Sequence, residues 1–434
     1  MKTQHTRREF LTEVGRGMIV ASVGYSMASE LGLATALGAD APEALAFGEL
    51  EPLVCLMQET PANKLLPLLA AKLKSGTELP QLVSAAALAN ARTFGGEDYV
   101  GFHTMMALSP SLHLARELPA AQRPLPVFKV LYRNTNRMQE KGGRKDEVLH
   151  RVEPEFPQHP PLTPGRGEML REAVRAKDVT RAERMFAALA QGSADEAFND
   201  LLYAVQDNTE VHRVVLPYRA WDLLDVVGRK HAHTLLRQSL RYCLKAESWP
   251  HNATYDEPRT LLPKMLEEHR LLDRQPGSRT AEDGWVDQLS QTIFKSTPAQ
   301  AAAAAAAALA ENFSPADIGE AISLAANQLI LRDMGRTPRD EVAGKPIGSV
   351  HGDSIGVHSC DAVNAWRNMS RVANPRNKVV CLLLAGYQMA QDRAQRGGEF
   401  LTWQPYPREE ARNQVTVREQ DALLREAEDR KSVV

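Results

Sequence analysis

Asp207-Asn-Thr-Glu-Val-His212 is one of three related stretches in this chain of 434 residues. The others are Asp98-Tyr-Val-Gly-Phe-His103 and Asp353-Ser-Ile-Gly-Val-His358. Each runs from an aspartate through three residues and a Phe or Val to a histidine. A tyrosine follows each histidine after 29 or 30 residues, and these are Tyr132, Tyr242 and Tyr387. Spacings that agree three times predict an internal repeat.

The sequence of the repeat is typical of α-helices. Residues 82–91, 198–205 and 318–331, one before each histidine, carry apolar side chains at spacings of three and four, which is the pattern of an amphipathic helix. Residues 301–308 are eight alanines, and alanine is the best helix former. Alternating strand patterns are scarce. We therefore predict an all-α fold of helical repeats, with three related modules packed as one arc or toroid-like domain.

Breaks in this pattern predict the organisation of the chain. We expect a signal segment at residues 1–39, a first helical module at 40–150, and a proline-rich connection with the second module at 151–250. A further connection with the third module follows at 251–398, and a charged tail at 399–434. The polar residues 250–285, which include three prolines after Pro250, are expected to interrupt the helices.

The aspartates and histidines of the repeat have two interpretations. Asp98, Asp207 and Asp353 are typical helix N-caps, which would place each histidine in the first or second helical turn. The three imidazoles could then line one shared surface. Alternatively, each aspartate is only a cap and each histidine only a core residue bonded to a carbonyl of the preceding helix.

The highest density of reactive side chains lies around the third histidine. Asp361 follows His358 by three residues and shares its helix face, so this pair is the first candidate for acid–base catalysis, together with His212 and His103. A bound metal is possible, with His351, Asp353 and His358 as candidate ligands. Candidate ligand-binding residues are the three tyrosines of the repeat and Trp221, Trp366 and Arg367, although core packing is the alternative role of both tryptophans.

The first residues contain a candidate targeting signal. Thr6-Arg7-Arg8-Glu9-Phe10-Leu11 resembles the twin-arginine export signal, and a modest apolar stretch follows at residues 17–28. The resemblance implies export of the folded protein by the twin-arginine machinery, to the periplasm or another exported location. Folding before export predicts that the four cysteines are thiols rather than disulfides. An amphipathic helix that stays attached is the alternative.

Composition excludes several classes of protein. The formal net charge of −2 provides no basic excess for nucleic-acid binding. No apolar run is long enough for a stable membrane span in the mature chain. Glycine-rich nucleotide loops, zinc-type cysteine pairs and nucleophile elbows are absent from the sequence. A small-molecule ligand is the partner that remains.

Two of the histidine segments resemble a known family. Val211-His-Arg-Val-Val-Leu-Pro-Tyr-Arg-Ala-Trp221-Asp-Leu-Leu224 and Val357-His-Ser-Cys-Asp-Ala-Val-Asn-Ala-Trp366-Arg367 are similar to the histidine helices of questin-oxidase-like proteins. The resemblance implies an all-helical oxidoreductase that acts on a planar small molecule, by Baeyer–Villiger-type oxidation of anthraquinones, with NADPH as electron donor. The export signal departs from that family. A non-enzymatic helical-repeat protein of the cell envelope, binding a ligand or serving as a scaffold, is the alternative.

Overall fold

A computed structural model describes most of the chain. The described residues are 44–156, 165–250, 252–349, 352, 354–395, 399–405, 409–413, 417, 419–423 and 425. The predicted signal segment, His351 and Asp353 lie outside them. The chain divides into two compact units, Met1–Leu45 and Ala46–Val434, and every described helix belongs to the second.

The described fold is all-α, as predicted, and its β-structure is limited to isolated bridges. The first module comprises α1 (Glu51–Glu59), α2 (Ala62–Lys74), α3 (Leu79–Phe94), α4 (Tyr99–Glu117) and α5 (Pro124–Glu140). The second comprises α6 (Arg166–Arg175), α7 (Val179–Leu189), α8 (Ala194–Val205), α9 (Val211–Asp222), the single turn α10 (Leu224–Val227) and α11 (Ala232–Ala246). After α12 (Ala253–Asp256) and α13 (Pro258–Glu268), the third comprises α14 (Asp283–Lys295), α15 (Pro298–Ala310), α16 (Pro315–Leu331), α17 (Ile355–Val372) and α18 (Pro375–Gln395). The short α19 (Glu399–Thr402) and α20 (Glu409–Asn413) follow.

The repeat is larger than the sequence pattern indicates, because it contains five long helices rather than three. In every module the first helix packs on the third and the second packs on the fifth. The third, fourth and fifth helices pack on one another. Neighbouring modules meet through their fourth helices, α4 on α9 and α9 on α17. This packing is compatible with the predicted arc of repeats.

The core lies along the third and fifth helices of the modules. All residues of α3 from Leu82 to Phe94 are buried, and so are nearly all residues of α18 from Val379 to Arg393. The alanine run in α15 has a packing role, because small side chains let two helix backbones approach closely. A Cβ added at Gly386 of α18 would lie 3.1 Å from the carbonyl oxygen of Ala301.

The prediction that residues 250–285 interrupt the helices is wrong in part, since α12 and α13 form there. Pro258 occupies the first position of α13, where its missing N–H needs no helical partner and its fixed φ suits the helix. All four cysteines are free thiols, and Cys243 and Cys381 are fully buried. None of the described helices combines the length and apolarity needed to cross a bilayer.

Candidate functional site

The three histidines of the repeat meet at one place. The ring centroids of His103 and His212 are 5.3 Å apart, and those of His212 and His358 are 5.9 Å apart. This cluster forms because α9 packs between α4 and α17 and each histidine lies within the first five residues of its helix. We call these three residues the histidine cluster. The first interpretation of the repeat, a shared surface, is the one that the geometry matches.

The caps that hold the three helix starts are not the same. Asp98 caps α4 as predicted, accepting the Gly101 N–H at 2.7 Å. Asp207 does not cap α9: it is buried and paired with Arg175 at 2.6 Å, because a buried carboxylate needs a cation. Glu210 caps α9 instead. The cap of α17 is Ser354, and Asp353 lies outside the described residues.

Glu210 orients the central histidine. Its Oε1 accepts a hydrogen bond from His212 Nδ1 at 2.5 Å, and its Oε2 accepts one from the Tyr242 hydroxyl at 2.9 Å. Burial alone would raise the pKa of Glu210, but the hydrogen bonds from His212 and Tyr242 outweigh burial and lower that pKa. Burial and the charge of Glu210 raise the pKa of Tyr242, so this hydroxyl remains a donor. A carboxylate only accepts, so the proton of a neutral His212 is on Nδ1 and its Nε2 is a base.

His103 has the same tautomer for a different reason. Its Nδ1 lies 2.7 Å from the carbonyl oxygen of Tyr99, one turn earlier in α4. A carbonyl accepts and cannot donate, so Nδ1 carries the proton and Nε2 the lone pair. The bond is to the histidine's own helix, not to a preceding one as the core alternative required. Two neighbouring rings of the cluster therefore present basic nitrogens.

Asp361 supplies a carboxyl group beside the cluster. Burial raises its pKa, although Arg219 and all three histidines of the cluster act in the opposite direction. It accepts no hydrogen bond from the part of the chain that the structure describes. A carboxyl group with a raised pKa is a proton donor closer to neutral pH than an exposed aspartate is. Asp392, fully buried on the neighbouring α18, is a second acid whose pKa burial raises well above its usual range.

Aromatic rings frame the histidine cluster. Phe102 is buried and contacts His103 and His212 edge-on, at centroid distances of 5.4 and 4.9 Å. Tyr99 contacts the same two rings at 4.4 and 5.6 Å, and 59% of its surface is exposed. The cluster thus has a buried apolar side at Phe102 and a side open to solvent at Tyr99.

A cavity of about 210 Å³ adjoins Glu210. Glu247, Asp256 and Arg259 line it, and so does Trp249, whose ring meets Tyr242 edge-on at 5.8 Å. Glu247 is already held by Arg213 and Arg259, each at 2.8–2.9 Å. The cavity therefore places an indole and several polar groups next to the carboxylate that orients His212.

Most of the predicted ligand-binding residues lie elsewhere. Of the three tyrosines predicted from the repeat, only Tyr242 reaches the cluster. Tyr132 is exposed on α5, with no ring contact to a histidine among the described residues. Tyr387 is fully buried because α12 and α13 cover it. Its hydroxyl oxygen lies 2.7 Å from Glu257 Oε2 and 2.6 Å from the Thr254 carbonyl oxygen, and these two acceptors share its one proton.

The tryptophans and the arginine occupy packing positions. Trp366 is fully buried and donates to Gln388 at 2.8 Å. Trp221 packs on Phe198 at 4.5 Å. Arg367 donates to Ser323 at 3.1 Å, in the contact between α16 and α17. Trp366 therefore has the core-packing role of the alternative prediction, whereas Trp221 packs on Phe198 but is only half-buried.

The metal prediction gains no support from the described residues, in which no three His, Cys, Asp or Glu side chains are grouped as metal ligands. His351 and Asp353, two of the three candidate ligands, lie outside that part of the chain. The arrangement of His103, His212 and His358 in the cluster instead fits acid–base chemistry.

Glu210 is the functional residue that the sequence prediction missed, and a signal for it was present. In the three repeat stretches its position is occupied by Gly101 and Gly356 in the other modules. Both glycines are in close packing, because a Cβ at Gly101 would collide with the Phe94 ring and a Cβ at Gly356 would lie 3.1 Å from the backbone of Leu329 and Ile330. A charged residue at a position otherwise kept empty for packing marks the central module as different.

No protein-family model, no curated protein and no solved structure matches the chain. The resemblance to questin-oxidase-like proteins therefore rests on the two histidine segments alone.

Proposed function

We propose that the protein is an enzyme whose acid–base centre is the histidine cluster, acting on a planar small molecule. The observation that carries the proposal is the Glu210–His212 hydrogen bond of 2.5 Å at the centre of the cluster. An ionised carboxylate that fixes the tautomer of a histidine and aims its other nitrogen is the arrangement by which enzymes orient a general base.

In this proposal His212 Nε2 takes a proton from the bound molecule. The resulting imidazolium is stabilised by Glu210, whose lowered pKa keeps it negatively charged. Asp361 is the complementary acid, because its raised pKa keeps the carboxyl group protonated closer to neutral pH, so that it has a proton to donate. A pair of groups whose surroundings move their pKa values apart is the usual basis for assigning a base and an acid.

The redox class of the reaction comes from the resemblance of α9 and α17 to questin-oxidase-like helices, which implies oxidation of an anthraquinone-like ring system. The NADPH that the same resemblance implies does not fit the cavity beside Glu210. Three carboxylates and one guanidinium line that cavity, and carboxylates repel the phosphates of a dinucleotide. We derive no step through this cofactor.

A second candidate is a non-enzymatic ligand-binding or scaffold protein of the cell envelope. The edge-to-face contacts of His103 and His212 with Phe102 favour it, since such contacts are also typical of structural packing. The two candidates differ in what the loss of one histidine does to turnover and to stability.

The test uses the purified full chain with dioxygen, added NADPH as the reductant and a panel of hydroxyanthraquinones, with binding followed by absorbance and turnover by product formation and oxygen uptake. His212→Gln keeps a polar side chain but removes the base, and we expect about 100-fold slower turnover. His113→Gln, an exposed change on α4, is the matched control and should behave as the wild type. Binding without turnover in the wild type, together with loss of stability in His212→Gln, would instead establish the binding-protein alternative.

A further inference from the structure

A second cavity, of about 500 Å³, lies where α6, α13 and α18 come together, between elements of the second and third modules. It contains no residue of the histidine cluster. Three of its lining residues are arginines, Arg171, Arg270 and Arg376, and two are acidic, Glu267 and Asp273. The remaining lining is apolar. Cavities between packed units are common places for ligands.

Arg376 is held by uncharged groups only. Its Nη1 donates to Gln206 Oε1 at 3.0 Å and to Asn377 Oδ1 at 2.8 Å. Its guanidinium carbon lies 3.9 Å from the ring centroid of Tyr203. Among the described residues it forms no ion pair with a carboxylate. Burial lowers its pKa, and the nearby charge of Arg171 acts in the same direction.

Two buried arginines of this protein, Arg92 and Arg213, are each paired with a carboxylate, whereas Arg376 is half-buried and has no such partner among the described residues. Arg92 binds Glu51 at 2.7 Å, and Arg213 binds Glu247 at 2.9 Å. Burying a cation is costly unless an anion compensates it. Arg376 differs from these in one further respect, because it borders a cavity. An anion that enters the cavity can supply the compensation that no side chain supplies.

The apolar part of the wall indicates what else the anion carries. Leu262 and Leu266 are buried members of the core at this cavity. Leu272 is 52% exposed at its rim. An apolar chain laid against these side chains removes them from water, which contributes about 25 cal/mol for each Å² buried. An inorganic anion such as phosphate gains nothing from such a wall.

We propose that this cavity binds a small organic acid, with its carboxylate on Arg376 and its aliphatic chain on Leu262, Leu266 and Leu272. Arg171 also lines the cavity but is already paired with Glu168. Arg favours carboxylates because its planar fork matches the two oxygens in a bidentate pair. Three guanidiniums against two carboxylates leave the lining with a net positive charge. The proposal is independent of the chemistry at the histidine cluster.

The experiment titrates the full chain with three probes by calorimetry: octanoate, octan-1-ol and inorganic phosphate. We expect saturable binding of octanoate at one site, and at least about tenfold weaker binding of both octan-1-ol and phosphate. Binding of octan-1-ol as tight as that of octanoate would overturn the role of the arginines. Equal binding of phosphate would overturn the role of the apolar wall, and no octanoate binding would overturn the proposal altogether.

Variants locate the site. Arg376→Gln should weaken octanoate binding about tenfold or more, because a charge-assisted pair is lost, whereas Arg339→Gln, an exposed change, should leave it unaltered. Leu272→Asn alters an exposed position, so the protein should fold, and we expect several-fold weaker octanoate binding with little change for acetate. If Arg376→Gln fails to fold, Leu272→Asn decides the question: unaltered octanoate affinity would show that the acid binds elsewhere.

Discussion

Replacing Glu210 with glutamine tests the centre of the histidine cluster. The change keeps the size of the side chain and one carbonyl oxygen, but it removes the negative charge. The carboxylate accepts hydrogen bonds from His212 Nδ1 at 2.5 Å, the Tyr242 hydroxyl at 2.9 Å and the Arg213 N–H at 3.1 Å. A glutamine has one acceptor atom and a donating amide, so it cannot accept hydrogen bonds from both His212 and Tyr242.

The loss of these hydrogen bonds determines how much the change lowers the free energy of unfolding. A hydrogen bond to a charged group contributes about 1.5–3 kcal/mol to stability, and loss of a helix N-cap costs about 0.5–2 kcal/mol. Because glutamine retains part of the cap, we expect Glu210→Gln to lower the free energy of unfolding by about 2–3 kcal/mol at pH 7. The side chain of Glu210 is only 22% exposed, so solvent screens little of this loss.

The pH dependence provides a second signature. The pKa of Glu210 is lower in the folded protein than its ordinary value of 4.5, so the unfolded chain binds the proton more readily. Stability from this group is therefore complete above about pH 4.5 and is lost as the pH falls through the folded pKa. The gap in stability between wild type and Glu210→Gln should narrow below about pH 4.5.

Urea unfolding at a series of pH values measures the gap. Glu196→Gln is the matched control: Glu196 is an exposed glutamate in the capping box of α8 with Ser193, and its hydrogen bonds to Ser193 also lower its pKa. We expect a clearly smaller loss for it. A Glu210→Gln protein as stable as the wild type at pH 7, or a gap that stays constant with pH, would show that Glu210 does not hold the charge and the contacts described above.

Three further predictions concern other parts of the molecule. Gly101→Ala should lower the free energy of unfolding by about 1–3 kcal/mol, measured in urea, because the new Cβ meets the Phe94 ring. The control is Gly284→Ala in α14, which has open space around it and should be neutral or slightly stabilising. Equal effects of the two changes would refute the packing argument. Burial lowers the pKa of His233 to about 4 from 6.5. The contribution of neutral His233 to the stability of the fold is therefore complete above pH 6.5 and is lost as the pH falls towards 4. At about 1.4 kcal/mol per pKa unit this loss approaches about 3 kcal/mol, and a His233→Gln protein whose stability falls with acid as steeply as that of the wild type would contradict the prediction. We also propose that the chain is exported, and replacing Arg7 and Arg8 by lysine should keep it in the cytoplasm in cell fractionation, with Lys2→Arg as the control; unchanged export would reject the twin-arginine route.

The sequence predicted the helical class, and a shared surface of the three histidines was one of the two interpretations that it left open, because both depend on spacing. A repeated residue at a repeated position must recur at equivalent places when the modules pack in the same way. The first two helices of each module were not recognised as part of the repeat, since they share apolar spacing but no marker such as the histidine. Helix α13 was missed because Pro258 suggested a break, although proline is favourable at the first position of a helix.

The three tyrosines of the repeat show that equivalent positions in the sequence do not predict equivalent surroundings in the structure. Tyr132, Tyr242 and Tyr387 lie on the fifth long helix of successive modules, yet one is exposed, one binds Glu210 and one is covered by α12 and α13. Their surroundings depend on what each module packs against, and the first and third modules have different neighbours from the second. Spacing along the chain contains no information on those neighbours.

The same asymmetry explains why the central module has the glutamate. Where α4 and α17 begin, glycine lets the helix start approach the preceding α3 or α16 closely. At Glu210 that glycine is replaced, and the side chain both caps α9 and binds His212. Among the described fourth helices, α9 packs against both others, and the His212 ring that Glu210 binds lies near the rings of His103 and His358. We propose that this departure from glycine serves the acid–base centre proposed above, because the carboxylate at this position binds both His212 and Tyr242.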